Sequence, residues 1–341
     1  MVTDNASDVP SARQDDGSTP IVSVIIPVYN SESTLRAAID SVLGQSLRNL
    51  ELLVVDDGSA DGSAELAQQV AGSDPRARIV RMERNGGKPR AMNRAMDLVR
   101  GCWVAVLDAD DTFHPQRLER LIELGERHGT AMVSDDQNHI DHISGEIVNT
   151  AFQGYRFVNP VGRGGFVRIA RDPHKGFDLG ILKPVIRTDF IRRTGLRYNE
   201  LAGLAEDFYY LMEFFISGGT VWICHDTLYN WTLPFSPSSR QWTATGHGAW
   251  RYDHRRMLPA HNQYVAAMKS GGVADMLDML LERGRRTLQM MYYTDAQKAV
   301  AEGRRLAALR ILARHPETYP LLLRRILGRY RREHARHAGI Q

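Results

Sequence analysis

Ile21-Val22-Ser23-Val24-Ile25-Ile26-Pro27-Val28 is an almost unbroken run of apolar, mostly β-branched residues. A strand with one wet face alternates apolar and polar positions. A run this uniform predicts a strand buried on both faces, as in a parallel sheet held between two helix layers. The same grammar repeats outward from it. Ser31 to Leu43 carries Leu35, Ala38, Ile39, Val42 and Leu43 on one helical face, Leu50 to Val55 reads as a second buried strand, and Ala64 to Val70 as a second helix. Ile79 to Met82, Ala91 to Val99 and Trp103 to Leu107 continue the alternation; Pro115 then marks a helix start, with Leu118, Leu121 and Ile122 as its apolar face. The predicted fold class is α/β, a largely parallel sheet with helices on both faces.

In such sheets ligands bind beyond the carboxyl ends of the strands. The residues that follow each predicted strand are therefore the candidates: Tyr29-Asn30, Asp56-Asp57-Gly58-Ser59, Asn85-Gly86-Gly87-Lys88 and Asp108 to Asp111. Asp108-Ala109-Asp110-Asp111 puts three carboxylates within four residues, and these repel one another unless a cation neutralises them. Hard oxygen ligands suit Mg²⁺ or Mn²⁺, which bind through one or two carboxylates together with substrate phosphates. Helix capping accounts for Asp111 beside Thr112 and Pro115, but not for all three acids. Asp57, Ser59, Asp61 and Gly62 match the start of a calcium loop, yet its twelfth position is Gln68 and a strand precedes it. A turn that offers Asp57 as a hydrogen-bond acceptor to a nucleobase fits better.

Asn85-Gly86-Gly87-Lys88-Pro89-Arg90 opens a helix, where backbone N–H groups, Lys88 and Arg90 suit a phosphate. Neither G-x-x-x-x-G-K-[ST] nor G-x-G-x-x-G occurs, which weighs against a P-loop enzyme and a dinucleotide dehydrogenase. Farther on, Glu206-Asp207 begins a predicted helix, Ala205 to Ile216. Acids there balance the helix dipole, or serve as a general base.

Together these segments resemble the GT-A inverting glycosyltransferases of family 2. The resemblance spans about Ile21 to Arg240 and is strongest up to Asp136. It is carried by Val24 to Asn30, Val55 to Asp61, Asn85-Gly86-Gly87, Leu107 to Asp111 and Ala205-Glu206-Asp207. It implies a GT-A (Rossmann-like) fold and transfer of a sugar, with inversion, from a nucleotide sugar (a UDP-sugar) to an acceptor hydroxyl. Pro27, Tyr29 and Asn30 would line the donor pocket, with Tyr29 stacked on the base and Asp57 bonded to it. Asp108 and Asp110 would hold the ribose and metal, Asp110 and Asp111 being metal ligands, and Lys88, Arg90 and Arg240 would reach the diphosphate. Asp207 would be the catalytic base, with Glu206 beside it. One departure matters: Arg240-Gln241-Trp242 is not the Q-x-x-R-W of processive synthases, so a single addition is expected.

The chain's 341 residues are 43% hydrophobic and 24% charged, as expected of a globular protein with a sizeable core. Cys102 and Cys224 both lie in apolar runs and read as buried thiols of a reducing compartment. No 18-residue apolar span and no signal-like start is present, so a cytoplasmic protein is expected.

Charge divides unevenly: residues 251–341 hold 18 Lys/Arg against 8 Asp/Glu, net +10, whereas residues 1–250 are net −7. Leu321 to Arg332 mixes leucines with a run of arginines, the composition of a helix lying on an anionic membrane, or of a solvated helix that also packs on the body. The first reading suits peripheral attachment at the inner face of the cell membrane and a lipid-linked saccharide acceptor in surface or exopolysaccharide assembly. No nucleic-acid recognition motif accompanies the charge.

The expected organisation is a disordered tail at 1–20, a nucleotide-sugar-binding half at 21–136, an acceptor and base half at 137–245, and an α-helical basic extension at 246–341. Within the second half, Gly154 to Gly180 reads as a long loop. Rival readings are a nucleotidyltransferase of related fold and a non-catalytic carbohydrate- or nucleotide-binding module.

Overall fold

Strand β1 (Val22–Val28) lies in the middle of the sheet, and its alternate residues feed two different cores. Val22, Val24, Ile26 and Val28 face one helix layer and Ile25 faces the other, which is why the run has no polar period. A computed structural model describes residues 19–171, 179–233, 253–271 and 273–323 of the chain.

The first half follows the expected alternation. After β1 come α1 (Leu35–Leu43), β2 (Leu50–Asp56), α2 (Ser63–Ala71), β3 (Ala77–Arg81), α3 (Lys88–Met96), β4 (Trp103–Val106), the short β5 (Thr112–Phe113) and α4 (Arg117–His128). Strands β3, β2, β1 and β4 stand side by side and all parallel. Leu35, Ala38, Ile39 and Val42 bury one face of α1, as their spacing requires. Ser31 stands just ahead of that helix, its carbonyl accepting the Leu35 N–H at 3.0 Å and its own N–H donating to Ser63 Oγ at 2.8 Å. Helix α4 ends on Gly129, whose φ of 59° is left-handed and suits a residue without Cβ.

The second half is mixed rather than parallel. It comprises β6 (Met132–Asp141), β7 (Ile147–Thr150), α5 (Arg163–Arg171), β8 (Val185–Arg187), α6 (Thr188–Thr194), α7 (Glu206–Ile216) and β9 (Val221–Leu233). Strand β8 is antiparallel to both β4 and β6, β9 is parallel to β6, and β5 pairs antiparallel with β9. Among the described residues one sheet of nine strands therefore runs through both expected halves, in the order β3-β2-β1-β4-β8-β6-β9-β5 with β7 on β6. The expected loop over 154–180 is corrected in part: α5 forms within it, burying Phe166, Val167 and Ile169. Cys102 is also corrected, being exposed at the bend just before β4, whereas Cys224 is buried and its thiol is pushed up to about 12, by burial first and by Asp135 next.

Among the described residues that follow are the helices α8 (Leu258–Gly271), α9 (Ala274–Ala301) and α10 (Arg305–Arg314). They pack on the body through the back of α7, where Tyr209 stacks on Tyr264 and its hydroxyl meets His261 Nδ1 at 3.3 Å. Among the described residues no helix is long and apolar enough to cross a membrane. The expected tail at 1–20 is described only at residues 19 and 20, and most of the arginine-rich 321–332 stretch lies outside the described residues.

Candidate active site

The turns after β1 and β2 lock together before any ligand is considered. Asn30, held at a left-handed φ of 51°, accepts the Ala60 N–H on its side chain at 2.8 Å and donates its own N–H to Ser59 Oγ at 3.0 Å. Asn30 thus serves as a brace between two loops. Beside it, Tyr29 is 49% exposed at the lip of a cleft, with its ring free to stack on a flat ligand. Asp57 is almost fully buried, and its two oxygens accept the N–H groups of Gly86 and Gly87 at 2.9 and 2.7 Å. The amides expected to receive a phosphate are therefore already engaged by Asp57.

Pro27, Tyr29, Asn30, Asp57, Lys88, Asp108 and Asp110 line one cleft of about 530 Å³ at the carboxyl ends of the parallel strands. That size suits a small-molecule site. Arg90 is not part of it. Its side chain lines a separate groove with Arg81, Arg84 and Arg94, because it points to the other side of the loop that Asp57 holds. Arg240 lies outside the described residues.

The acidic cluster divides three ways. Asp111 is buried, and both of its oxygens are taken, one by the Tyr229 hydroxyl at 2.6 Å and one by the Thr232 N–H at 2.8 Å. Burial first, then Asp108 and Asp110, raise its pKa well above the usual carboxylate range. Asp108 accepts Lys88 Nζ on one oxygen and Lys183 Nζ on the other, each at 2.8 Å. Burial works to raise its pKa, but the two ammonium groups outweigh it and hold the carboxyl below its ordinary range. Asp110 is exposed in the cleft; burial and then Asp108 raise its pKa. Among the described residues, no three His, Cys, Asp or Glu side chains converge as a metal-holding group. The carboxylate of this cluster that faces the cleft without an ammonium partner among the described residues is Asp110.

Glu206 and Asp207 arrive from the far half on the first turn of α7, which starts from Ala205 at a left-handed φ of 62°. Asp207 Oδ2 meets Lys183 Nζ at 2.6 Å and Lys88 Nζ at 3.3 Å, and Glu206 meets Lys88 at 3.4 Å. The acids expected to act together are thus brought together by two lysines. Lys183 carries no motif in the sequence, lying just before Pro184 and a three-residue strand. Tyr229 is likewise one aromatic in a strand, yet its hydroxyl takes the Asp108 N–H at 3.3 Å while donating to Asp111. Proximity of this kind leaves no local trace in sequence.

The sheet thus carries an acidic turn after its fourth strand, and two lysines join Asp108 of that turn to Asp207 at the head of α7. Residues 23–177 match the family model described as "Glycosyl transferase family 2".

The relatives agree. The chain is 32% identical over 204 residues to the succinoglycan biosynthesis protein ExoO of Rhizobium meliloti (strain 1021), covering 59% of this chain and 57% of that one. It is 39% identical over 104 residues to the putative teichuronic acid biosynthesis glycosyltransferase TuaG of Bacillus subtilis (strain 168), covering 30% and 41%. The chain thus spans well under two thirds of the length of these curated relatives.

Among solved structures, S. aureus TarS 1-349 in complex with UDP-GlcNAc superposes with a TM-score of 0.57 at 17% identity, covering 82% of this chain and 72% of that one. The mannosyltransferase PcManGT of Pyrobaculum calidifontis, in complex with GDP-Man and Mn²⁺, gives 0.52 at 21%, covering 87% and 80%. At such identities the likeness is one of fold.

Proposed function

We propose that this chain transfers one sugar from a nucleotide sugar, a UDP-sugar in our reading, to a hydroxyl of a saccharide acceptor with inversion at the sugar carbon. The observation that carries the reading is that Asp207 of α7 and Asp108 of the β4 turn share the ammonium groups of Lys183 and Lys88, and that Asp108 and Lys88 line the same cleft as Tyr29 and Asp57. The donor's base stacks on Tyr29, its ribose lies toward Asp108, and its diphosphate lies toward Lys88. Asp207 takes the proton of the attacking hydroxyl as the new bond to the sugar forms and the bond to the diphosphate breaks. Glu206 keeps Lys88 within the same charge group.

Asp110 is the residue that would hold a Mg²⁺ or Mn²⁺ ion. A cleft-facing carboxylate with no ammonium partner among the described residues fits the habit of these ions of binding through one or two carboxylates plus substrate phosphates. Such an ion offsets the charge that builds on the leaving diphosphate. Support also comes from the Mn²⁺ and the nucleotide sugars in the names of the fold neighbours. For the acceptor we infer a lipid-linked saccharide of a surface or exopolysaccharide, met at the inner membrane face. The relatives' names and the net charge of +10 over residues 251–341 support it.

A panel of nucleotide sugars offered with Mn²⁺ or Mg²⁺ and mixed saccharide acceptors, read by nucleoside diphosphate release, tests the reading. Release with at least one donor, lost in Asp207→Asn, is expected. Pyrophosphate release from a nucleoside triphosphate, or binding of donors with no turnover, would overturn it.

A further inference from the structure

Lys183 is held at both ends. Its Nζ lies 2.6 Å from Asp207 Oδ2 and 2.8 Å from Asp108 Oδ2. Its carbonyl oxygen accepts a hydrogen bond from Arg117 Nη2, and Arg117, itself fully buried, is clamped by Asp135 at 2.7 and 3.0 Å. Two positions earlier, the Ile181 carbonyl accepts a hydrogen bond from Gln137 Nε2 at 2.6 Å. Gly180 lies so near α7 that a Cβ there would stand 2.8 Å from Phe208 Cβ. The flexible stem of a lysine makes a poor strut when only its head is held. Here the backbone is fixed from the β6 side and the head is fixed by two carboxylates.

The two lysines are not equivalent. Lys88 makes its close contact with Asp108 at 2.8 Å and stands 3.3 Å from Asp207, whereas Lys183 is close to both. Both approach the same oxygen of Asp207, Oδ2, and among the described residues Oδ1 has no such partner. A carboxylate held through one oxygen presents the other in a defined direction.

We propose that Lys183 is a positioning residue, which sets the Asp207 carboxylate at a fixed separation from Asp108 and turns Oδ1 toward the acceptor's hydroxyl. It acts through Asp207 and touches no reacting atom. The inference rests on the glycosyl-transfer reading above. A base displaced by about 1 Å loses on the order of a hundredfold in rate, so the loss falls on kcat.

The test uses the full chain with the donor and acceptor that give turnover, comparing wild type, Lys183→Met, Lys183→Arg, Asp207→Asn and the double variant Lys183→Met/Asp207→Asn. Lys183→Met is expected to lower kcat by roughly ten- to a hundredfold with donor KM changed less than about threefold, and Lys183→Arg, which keeps the charge, to recover part of it. Residues that act as one unit are non-additive, so Lys183→Met should cost little further in the Asp207→Asn background. An equal loss in that background, or a raised donor KM with kcat intact, overturns the inference while leaving glycosyl transfer standing. A wild-type chain that turns over no donor overturns both. Should Lys183→Met fail to fold, as read by thermal unfolding, Lys183→Arg and Lys183→Gln carry the same comparison.

Discussion

The carboxylate of Asp57, on the turn after β2, accepts the backbone N–H of Gly87 at 2.7 Å. Its other oxygen takes the N–H of Gly86 at 2.9 Å, so one side chain sets the course of the loop that leads into α3. The next residue is Lys88, whose reach to Asp108 depends on where that loop lies. Asp57→Ala leaves two amides without their acceptor, at a cost of roughly 1–3 kcal/mol. Urea unfolding should show that loss, with Asp57→Asn falling between it and wild type. Donor binding should weaken in the same order, and an unchanged unfolding midpoint in Asp57→Ala would count against the bracing role.

Arg117 and Asp135 form a fully buried pair with two hydrogen bonds, and Arg117 also lies over the Phe113 ring at 4.3 Å. Burial raises the Asp135 pKa in spite of the opposing guanidinium. Removing one partner strands the other charge without solvent, at a cost of about 3–5 kcal/mol. Asp135→Ala should lower the denaturant midpoint accordingly, and Asp135→Ala/Arg117→Met should recover part of the loss. If the double variant is no better than the single, the stranded charge is not the cause.

Asp110 and Asp111 are neighbours with opposite prospects. Asp110→Ala should reduce Mn²⁺-stimulated turnover by at least about tenfold, the scale seen when a metal site is disturbed even at its periphery. Asp111→Asn should keep the metal response, since its oxygens serve Tyr229 and Thr232, and should lose roughly 1 kcal/mol of stability instead. Turnover titrated against Mn²⁺ separates the two, and loss of the metal response in Asp111→Asn would reverse the assignment.

Glu51 supplies a pH dependence with a definite sign. Burial pushes its pKa up, but the Ser23 hydroxyl and the N–H groups of Arg100 outweigh burial and hold it below the ordinary glutamate range. A depressed folded pKa contributes stability that is full above the unfolded value, about 4.3, and is lost as pH falls through the folded one. Between pH 7 and 3 the unfolding midpoint of wild type should therefore fall more steeply than that of Glu51→Gln. Parallel curves would show that Glu51 is not a source of acid lability.

The legible part of this protein was local. The double-sided burial of β1, the helical face of α1 and the acid turn after β4 each repeat at a spacing that backbone geometry imposes, so residue order alone predicts them. The mixed second half was less legible, because β8 is three residues long and its antiparallel place between β4 and β6 is a matter of partners. Helix α5 hid in a Gly- and Arg-rich stretch, since it forms by burying Phe166 against Phe208 and Phe215 of α7, a contact across the fold.

By sequence alone the chain determined its α/β class, the alternation of strands and helices in its first half, and the acidic turn after its fourth strand. Only tertiary structure decided how those acids divide. It tied Asp111 inward to Tyr229, left Asp110 in the cleft, turned Arg90 into another groove, and joined Asp108 to Asp207 through Lys183. The reason is physical. Periodicity records which way a backbone turns its side chains, whereas an ion pair between distant segments depends on where the packed layers bring them, and no spacing along the chain encodes that.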